Sequence, residues 1–466
     1  MSRIPVIAIF DVGKTNKKLF LFDEQYNIVF EQSEQLKEIT DEDGFPCEDV
    51  SALTNWTKEM LDKVMALPDT EIKAVNFSTY GASFVHVDEA SDPIAPLYNY
   101  LKPFPEKLQQ QFYKKYGGEI TFSQITASPA LGNLNSGLQL YRLKSEQPDV
   151  FDKTYYSLHL PQYISSLITK TYFSDITSIG CHTGLWNFPQ NNYHEWVYRE
   201  AIHDKLPAIF SSSQVIKSNY KGISLLAGVG LHDSSAALIP YLSSFIEPFI
   251  LVSTGTWCIS LNPFNHADLT ADELNNDCLC YIDYLGQSIK ASRLFAGYEH
   301  EQQVKRLAEH FHLDENFYKP IEFDAGIVSR LSSTKSRKSN ALTSGRIQHS
   351  EFAQRQLSDY PDFSTAYHDL ILDIISQQIF STNLVLKNTD VKRIFVDGGF
   401  SKNPIYMNLL AIAFPGIEVY AATVAQASSM GTALAIHKHW NKYAIPSDLI
   451  ELKYYAVKNL NQVDTK

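Results

Sequence analysis

The chain has 466 residues, 44% hydrophobic and 20% charged, with a formal net charge of −12 at pH 7. This is the composition of an ordinary globular protein long enough for roughly two to four domains. The acidic balance speaks against a nucleic-acid binder, and no stretch approaches the ~18 uninterrupted apolar residues of a membrane-spanning helix. Val6 to Phe10, the one early apolar run, is too short for a signal peptide and no cleavage site follows, so a cytoplasmic protein is expected.

Strands are expected at 5–10 and 18–23, joined by a turn of Asp11, Gly13, Lys14, Thr15 and Asn16. That turn brings a carboxylate, a Cβ-free backbone, an ammonium, a hydroxyl and an amide into one small volume. Backbone N–H groups and Thr15 suit phosphate oxygens, and a carboxylate can hold hydrated Mg²⁺, so the segment reads as a nucleotide-phosphate hairpin. Gly13-Lys14-Thr15 is not the end of a P-loop: Ala8 stands where that motif needs glycine, and Leu19 to Phe22 favours a strand over a helix. The competing reading is a plain polar hairpin turn.

Further strands are expected at 27–32, 72–77 and 83–88, and helices at 51–66, 134–145 and 159–170. Leu251 to Leu261 repeats the opening theme as strand, Thr-Gly-Thr turn and strand. Ser364 to Lys387 fits a long helix, followed by a strand at Arg393–Val396, a turn over Asp397–Asn403 and a helix through Phe414. A strand near 417–421 and an Ala/Ser-rich helix at 425–437 complete the series. Two similar hairpins predict two related α/β domains, 1–245 and 246–450, with a cleft between them and a tail over 451–466 that docks through Tyr454 and Tyr455. Ser329 to Arg346 is polar and reads as a loop, either a solvated insertion or a lid.

Cys47, Cys181, Cys258, Cys278 and Cys280 are irregularly spaced and read as reduced, buried thiols. Cys258, His266, Cys278 and Cys280 lack the paired spacings of structural zinc, so no Cys/His metal centre is expected.

Taken in order, these motifs resemble the FGGY carbohydrate kinases, from about residue 5 to 437. The first phosphate hairpin of that family resembles Asp11 to Asn16, with Lys14 where Thr or Ser is usual. The second phosphate loop resembles Ser253 to Trp257, and the adenosine loop resembles Gly398 to Asn403, backed by a helix containing Gly431. Asn135 to Asp149 is similar to the rhamnulokinase and fuculokinase branches. So is Gly230 to Ala236, where the family's general base falls on Asp233 after His232. Asp233 also reads as a helix-start aspartate, and a helix amino terminus favours the ionised form a base needs.

The resemblance implies two ribonuclease-H-like domains of the actin and hexokinase type, ATP and Mg²⁺ as cofactors, and a sugar as the small-molecule partner; a homodimer is allowed for. It assigns the nucleotide to Asp11, Gly13, Lys14, Thr15, Asn16, Lys18, Thr254, Gly255, Thr256, Gly398, Gly399 and Asn403, with Asp11 holding Mg²⁺ through water. The sugar falls to Gly81, Ala82, Ser83, Tyr98, Asn99, His232 and Ser234, with Asp175 and His182 lining the lower cleft. A structural role is the expectation for His182. The patch Leu97 to Lys102 lacks the acid and arginine usual there, and Ser83 stands where rhamnulokinases carry Asp. Few charged anchors and much aromatic surface suit a deoxyketose such as L-rhamnulose or L-fuculose, and equally a polyol. The alternatives are a xylulose or ribulose kinase, a sugar sensor without turnover, and an actin-type ATPase.

Overall fold

Ile4 to Phe10 is apolar almost without a break because the strand it forms is covered on both faces. The computed structural model describes residues 3–334 and 351–456. In chain order the main elements are β1 (Ile4–Val12), β2 (Lys17–Asp23), β3 (Ile28–Glu34), α1 (Val50–Met65), β4 (Thr70–Thr79), α2 (Ser136–Glu146), α3 (Leu160–Thr169), β5 (Ile216–Tyr220), β6 (Ile223–Ala227), β7 (Leu231–His232) and α4 (Asp233–Ser244). They continue with β8 (Phe249–Thr254), β9 (Cys258–Asn262), β10 (Cys278–Ile282), β11 (Ser288–Leu294), α5 (Ala296–Phe311), α6 (Phe363–Leu386), β12 (Arg393–Gly398), α7 (Pro404–Ala413), β13 (Glu418–Thr423), α8 (Ala427–Ala435) and β14 (Glu451–Tyr455).

Two compact units form. Among the described residues, the first comprises 3–245, 280–288 and 425–449, and the second 246–279, 289–334, 351–424 and 450–456. Each holds a seven-stranded mixed sheet, ordered β5-β6-β4-β1-β2-β3 in the first with β7 also on β4, and β10-β11-β9-β8-β12-β13-β14 in the second. The plan repeats: β1 lies between its antiparallel hairpin partner β2 and the parallel β4, as β8 lies between β9 and the parallel β12. Parallel neighbours bring the chain turns that follow them to one sheet edge, where open α/β sheets place ligands.

In the first sheet that edge aligns Asp11 with Ser78 and His232 with Thr79. In the second it aligns Ser253 with Asp397 and Thr254 with Gly398.

Local chemistry sets the helix ends. Asp49 caps α1 through Ala52 N at 2.9 Å, and Asp362 caps α6 through Thr365 N at 2.7 Å. The expected strand at 83–88 forms as Phe84–Val87, paired with Tyr156–His159 in a small separate sheet. His159 therefore belongs to a strand, and the helix after it begins at Leu160.

The hairpin β5–β6 was not foreseen, because its alternation is carried by Lys217, Ser218 and Asn219 and has little apolar contrast. The first unit also contains an aromatic core round Phe112, Phe122 and Trp196, with Phe112 and Trp196 edge-to-face at 5.1 Å. The loop expected over 329–346 begins as the end of a helix, Ala325–Thr334, and its remainder lies outside the described residues. Tyr454 and Tyr455 lie in β14, which pairs with β13.

The Ala/Ser-rich segment expected to back the adenosine loop instead belongs to the first unit, where α8 packs on α4. Pro240 lacks the N–H that would bond Ala236 O within α4. Gly431 of α8 fills that place so closely that a Cβ would lie 1.8 Å from the Ala236 oxygen.

All five cysteines are buried as reduced thiols. Among the described residues no helix is long and apolar enough to cross a membrane, and no group of three or more His, Cys, Asp and Glu is placed to hold a metal.

Candidate active site

Asp233 opens α4 directly after β7, so the strand sets its position and the helix amino terminus faces its charge. Its carboxylate accepts from Ser234 N at 2.6 Å and Ser234 Oγ at 3.2 Å, and lies 3.6 Å from His232 Nε2. Desolvation outweighs the Ser234 hydrogen bonds and pushes its pKa up to about 6. The side chain keeps 33% of its surface open, so a reactant can reach it.

His232 is held down to a pKa of about 4 by burial and is neutral at pH 7. Its Nε2 lies 3.4 Å from Cys181 Sγ, and its ring stacks on Tyr281. Gly81 must be glycine here, since a Cβ would meet His232 Nε2 at 2.5 Å. The next residue, Ala82, takes φ +60°, a left-handed conformation that costs an alanine about 1–2 kcal/mol. Gln139 Nε2 holds its carbonyl at 2.7 Å. Gly81, Ser83, Leu160, Pro161, Ser178 and His232 surround one closed crevice too small to admit a water molecule. His232 Nδ1 and Ser178 Oγ are buried there and make no hydrogen bond among the described residues.

Asp11 accepts from Ser78 Oγ at 3.2 Å and Ser429 Oγ at 2.7 Å. Burial raises its pKa, the Ser429 hydrogen bond opposes that, and the charge of Asp233 raises it further. Two carboxylates that each resist ionisation form a donor pair that a hydrated divalent cation stabilises, and Mg²⁺ takes one or two carboxylates with water and phosphate. The arrangement fits that ion.

In the adjoining turn Gly13 N bonds Asn16 O at 2.9 Å, and Thr15 and Asn16 are exposed. Asn16 Oδ1 accepts from Gln35, Lys14 pairs with Glu38 at 2.6 Å, and Lys18 donates to Gln426 at 3.3 Å.

Two residues expected at the sugar have their polar atoms engaged elsewhere in the first unit. Asn99 donates to Pro46 O and accepts from Leu101 N, while the Tyr98 hydroxyl donates to Glu42 at 2.6 Å. The acids this patch lacks in its own sequence come from 41–43, where Asp41 and Asp43 pair with Lys102 at 2.6 and 2.7 Å. Asp175, wholly buried, accepts from Thr177 N and from Ser212, and Thr177 Oγ1 in turn accepts from His232 N at 3.0 Å. Asp175 thus braces β7 from behind. The backbone oxygen of His182 accepts from Asn135 Nδ2 at 2.7 Å.

In the second unit Thr254 ties the two expected loops together. Its Oγ1 donates to Asp397 O and accepts from Phe400 N, and its carbonyl accepts from Gly399 N at 2.8 Å. Gly398 sits at φ +79°, and a Cβ there would lie 1.9 Å from Thr254 O. Asn403 caps α7 through Ile405 N and Tyr406 N and donates to Tyr367 OH at 2.7 Å. His300, held neutral by burial, bonds the same hydroxyl at 2.9 Å.

These loops border a cleft of about 560 Å³ lined by Thr254, Gly255, His300, Tyr318, Gly399 and Asn403, with Lys319 and Lys402 also on its wall. Gly255 and Gly399 are exposed, and Thr256 O accepts from Tyr298 N at 3.1 Å. Size, aromatic walls, bare backbone and two ammonium groups fit a nucleotide.

Sequence reading missed Ser78 and Ser429 at Asp11, and Gly297, His300, Tyr318 and Lys319 at the cleft. Gly297 carried a signal, a glycine in the first turn of an amphipathic helix, and here a Cβ would meet Gly255 O at 1.8 Å.

The model described as the FGGY family of carbohydrate kinases, N-terminal domain, matches residues 6–239, and that of the FGGY C-terminal domain matches 246–322. A rhamnulokinase of Halalkalibacterium halodurans is 26% identical over 167 residues, 36% of this chain and 33% of that protein, so the chain spans about a third of that curated relative in the match. Among solved structures, a carbohydrate kinase from Novosphingobium aromaticivorans superposes with a TM-score of 0.80 at 21% identity, over 99% of this chain and 96% of that one. A ligand-bound xylulose kinase from Lactobacillus acidophilus gives 0.79 at 16% identity, over 98% and 94%. A glycerol kinase from Plasmodium falciparum with ADP gives 0.74 at 16%, over 94% and 90%. At these identities the superpositions establish the fold, that of the two-domain kinases.

Proposed function

The chain belongs to the FGGY family of carbohydrate kinases, and from that premise we propose that it transfers the γ-phosphoryl group of ATP to a hydroxyl of a ketose or polyol. The observation that carries this reading is Asp233: a partly open carboxylate at a helix start, with a pKa pushed up to about 6, next to neutral His232 and close enough to Asp11 for their charges to interact. Phosphoryl transfer asks a protein mainly for positioning, charge neutralisation and a proton acceptor. Asp233 accepts the proton of the attacking hydroxyl. The second unit's 254–256 and 398–403 segments hold the nucleotide, and the first unit's Gly13 to Asn16 turn holds terminal phosphates. Asp11 would hold a hydrated Mg²⁺, which when bound would neutralise phosphate oxygens.

The sugar is proposed to be a deoxyketose of the L-rhamnulose or L-fuculose type. The match to a rhamnulokinase supports this. The deciding experiment measures Mg·ATP turnover against L-rhamnulose, L-fuculose, D-xylulose, D-ribulose, glycerol and gluconate. The deoxyketoses should give the highest kcat/KM. Preference for xylulose would leave the kinase reading standing and discard the sugar, whereas binding without turnover across the panel would leave a sugar sensor.

A further inference from the structure

A buried charge under the first hairpin has no part in the roles assigned above. Lys17 is 1% exposed and Glu48 is 3% exposed, and the two form an ion pair. The Lys17 ammonium also donates to Gly13 O at 3.2 Å and Lys14 O at 3.1 Å, so each of its protons has an acceptor. Glu48 Oε2 accepts from Tyr80 OH at 2.8 Å. Tyr80 is held well above the ordinary tyrosine range, first by burial and then by Glu48, so it remains a neutral donor.

A lysine is among the least suited side chains for a core, and an apolar residue would fill this space at no charge-burial cost. What an apolar residue could not do is orient the turn. The peptide bonds are trans, so each N–H points opposite to the C=O of the residue before it. Drawing the carbonyls of Gly13 and Lys14 inward onto Lys17 turns the N–H groups of Lys14 and Thr15 outward together. Successive outward N–H groups form an anion-binding concavity.

We propose that Lys17 is a positioning residue, locked by Glu48 and Tyr80, that aims the Lys14 and Thr15 N–H groups at the terminal phosphates of ATP. The inference rests on the kinase reading above and assigns the orienting role to a residue that does not touch the nucleotide. Lys14, three residues before it, is occupied with Glu38.

The test is calorimetric titration of Mg·ATP and of AMP into the intact chain, with melting curves, for wild type, Lys17→Met, the double variant Lys17→Met/Glu48→Gln, and Tyr80→Phe. AMP lacks the phosphates concerned, so it reports general damage. Lys17→Met leaves Glu48 buried without its partner and should melt lower, and removing both charges should recover the melting temperature. ATP affinity should nevertheless stay about ten- to a hundredfold down in the double variant, with AMP unchanged. Tyr80→Phe disturbs no charge count and should weaken ATP alone, by about two- to tenfold. Wild-type ATP affinity in either the double variant or Tyr80→Phe overturns the proposal, as does an equal loss of ATP and AMP. A wild-type chain that binds no Mg·ATP overturns the kinase reading along with it.

Discussion

At the residue scale, Asp233 meets opposing demands from catalysis and from stability. A hydroxyl attacks phosphorus at useful speed only if its proton has somewhere to go, and a positioned carboxylate contributes about 10²- to 10⁴-fold. Asp233→Asn keeps the shape and loses that acceptor, so turnover should fall at least about a hundredfold while calorimetric binding of ATP and sugar persists. With the carboxyl titrating at about 6, kcat/KM should be flat above neutrality and fall tenfold per unit on the acid side. His232, titrating at about 4, adds no limb there.

The linkage to stability runs the other way. The folded pKa lies above the unfolded 3.8, so the native state holds more protons between about 4 and 6, and stability falls as pH rises through that window. Asp233→Asn should therefore melt above wild type at about pH 8, with the gap closing below about pH 4 in thermal scans. A residue kept at a cost to stability is the mark of a working site.

At the scale of elements, the packing of α8 on α4 is the tightest constraint near Asp233. The Ala236 oxygen that Gly431 approaches belongs to α4's backbone and cannot swing aside. Gly431→Ala should destabilise the chain by roughly 1–3 kcal/mol in denaturant titrations and lower turnover, because α4 carries Asp233 at its start.

The sequence made much of this level readable. β1, β2, β8 and β12 are apolar runs bounded by Gly, Asn and Asp, and α1, α6 and α7 begin at Asp or Asn caps. Less readable was α5, whose buried Gln303, Val304, Leu307 and Ala308 keep helical spacing among many charged neighbours. Of the site, the residues tied to local motifs could be named: Asp11, Asp233, Thr254 and Gly398. Ser429, Lys17 and Glu48 could not, because their roles arise from contacts across the sheet and along the chain that leave no local pattern. Lys17 reads as one of three similar cations until burial separates it from Lys14 and Lys18.

At the scale of the whole molecule, one plan of hairpin and parallel strand serves two chemistries because the turn residues differ. The first unit's edge carries Asp11, Ser78 and Asp233, and the second unit's carries Ser253, Thr254 and Asp397 together with the bare backbone of Gly255, Gly398 and Gly399. Gly398→Ala puts a Cβ against Thr254 O in a left-handed residue, so ATP binding should be lost while sugar binding, which we propose for the first unit, remains measurable by calorimetry.

Residues 425–449 complete the first unit. Ser429 reaches Asp11 across 418 residues of chain, Thr432 O takes the amide of Asn76, and His437 bonds Tyr26 at 2.6 Å. During synthesis the opening hairpin therefore emerges from the ribosome long before the helix that covers it. Contacts so distant in sequence slow folding and prolong the exposure of unpaired apolar surface. A fragment of residues 1–245 should accordingly show no cooperative melting transition, and supplying 425–449 by fusion after residue 245 should restore one. The unit that carries the proposed base holds the earliest strands of the sequence, yet it waits for residues 425–449 before it is closed.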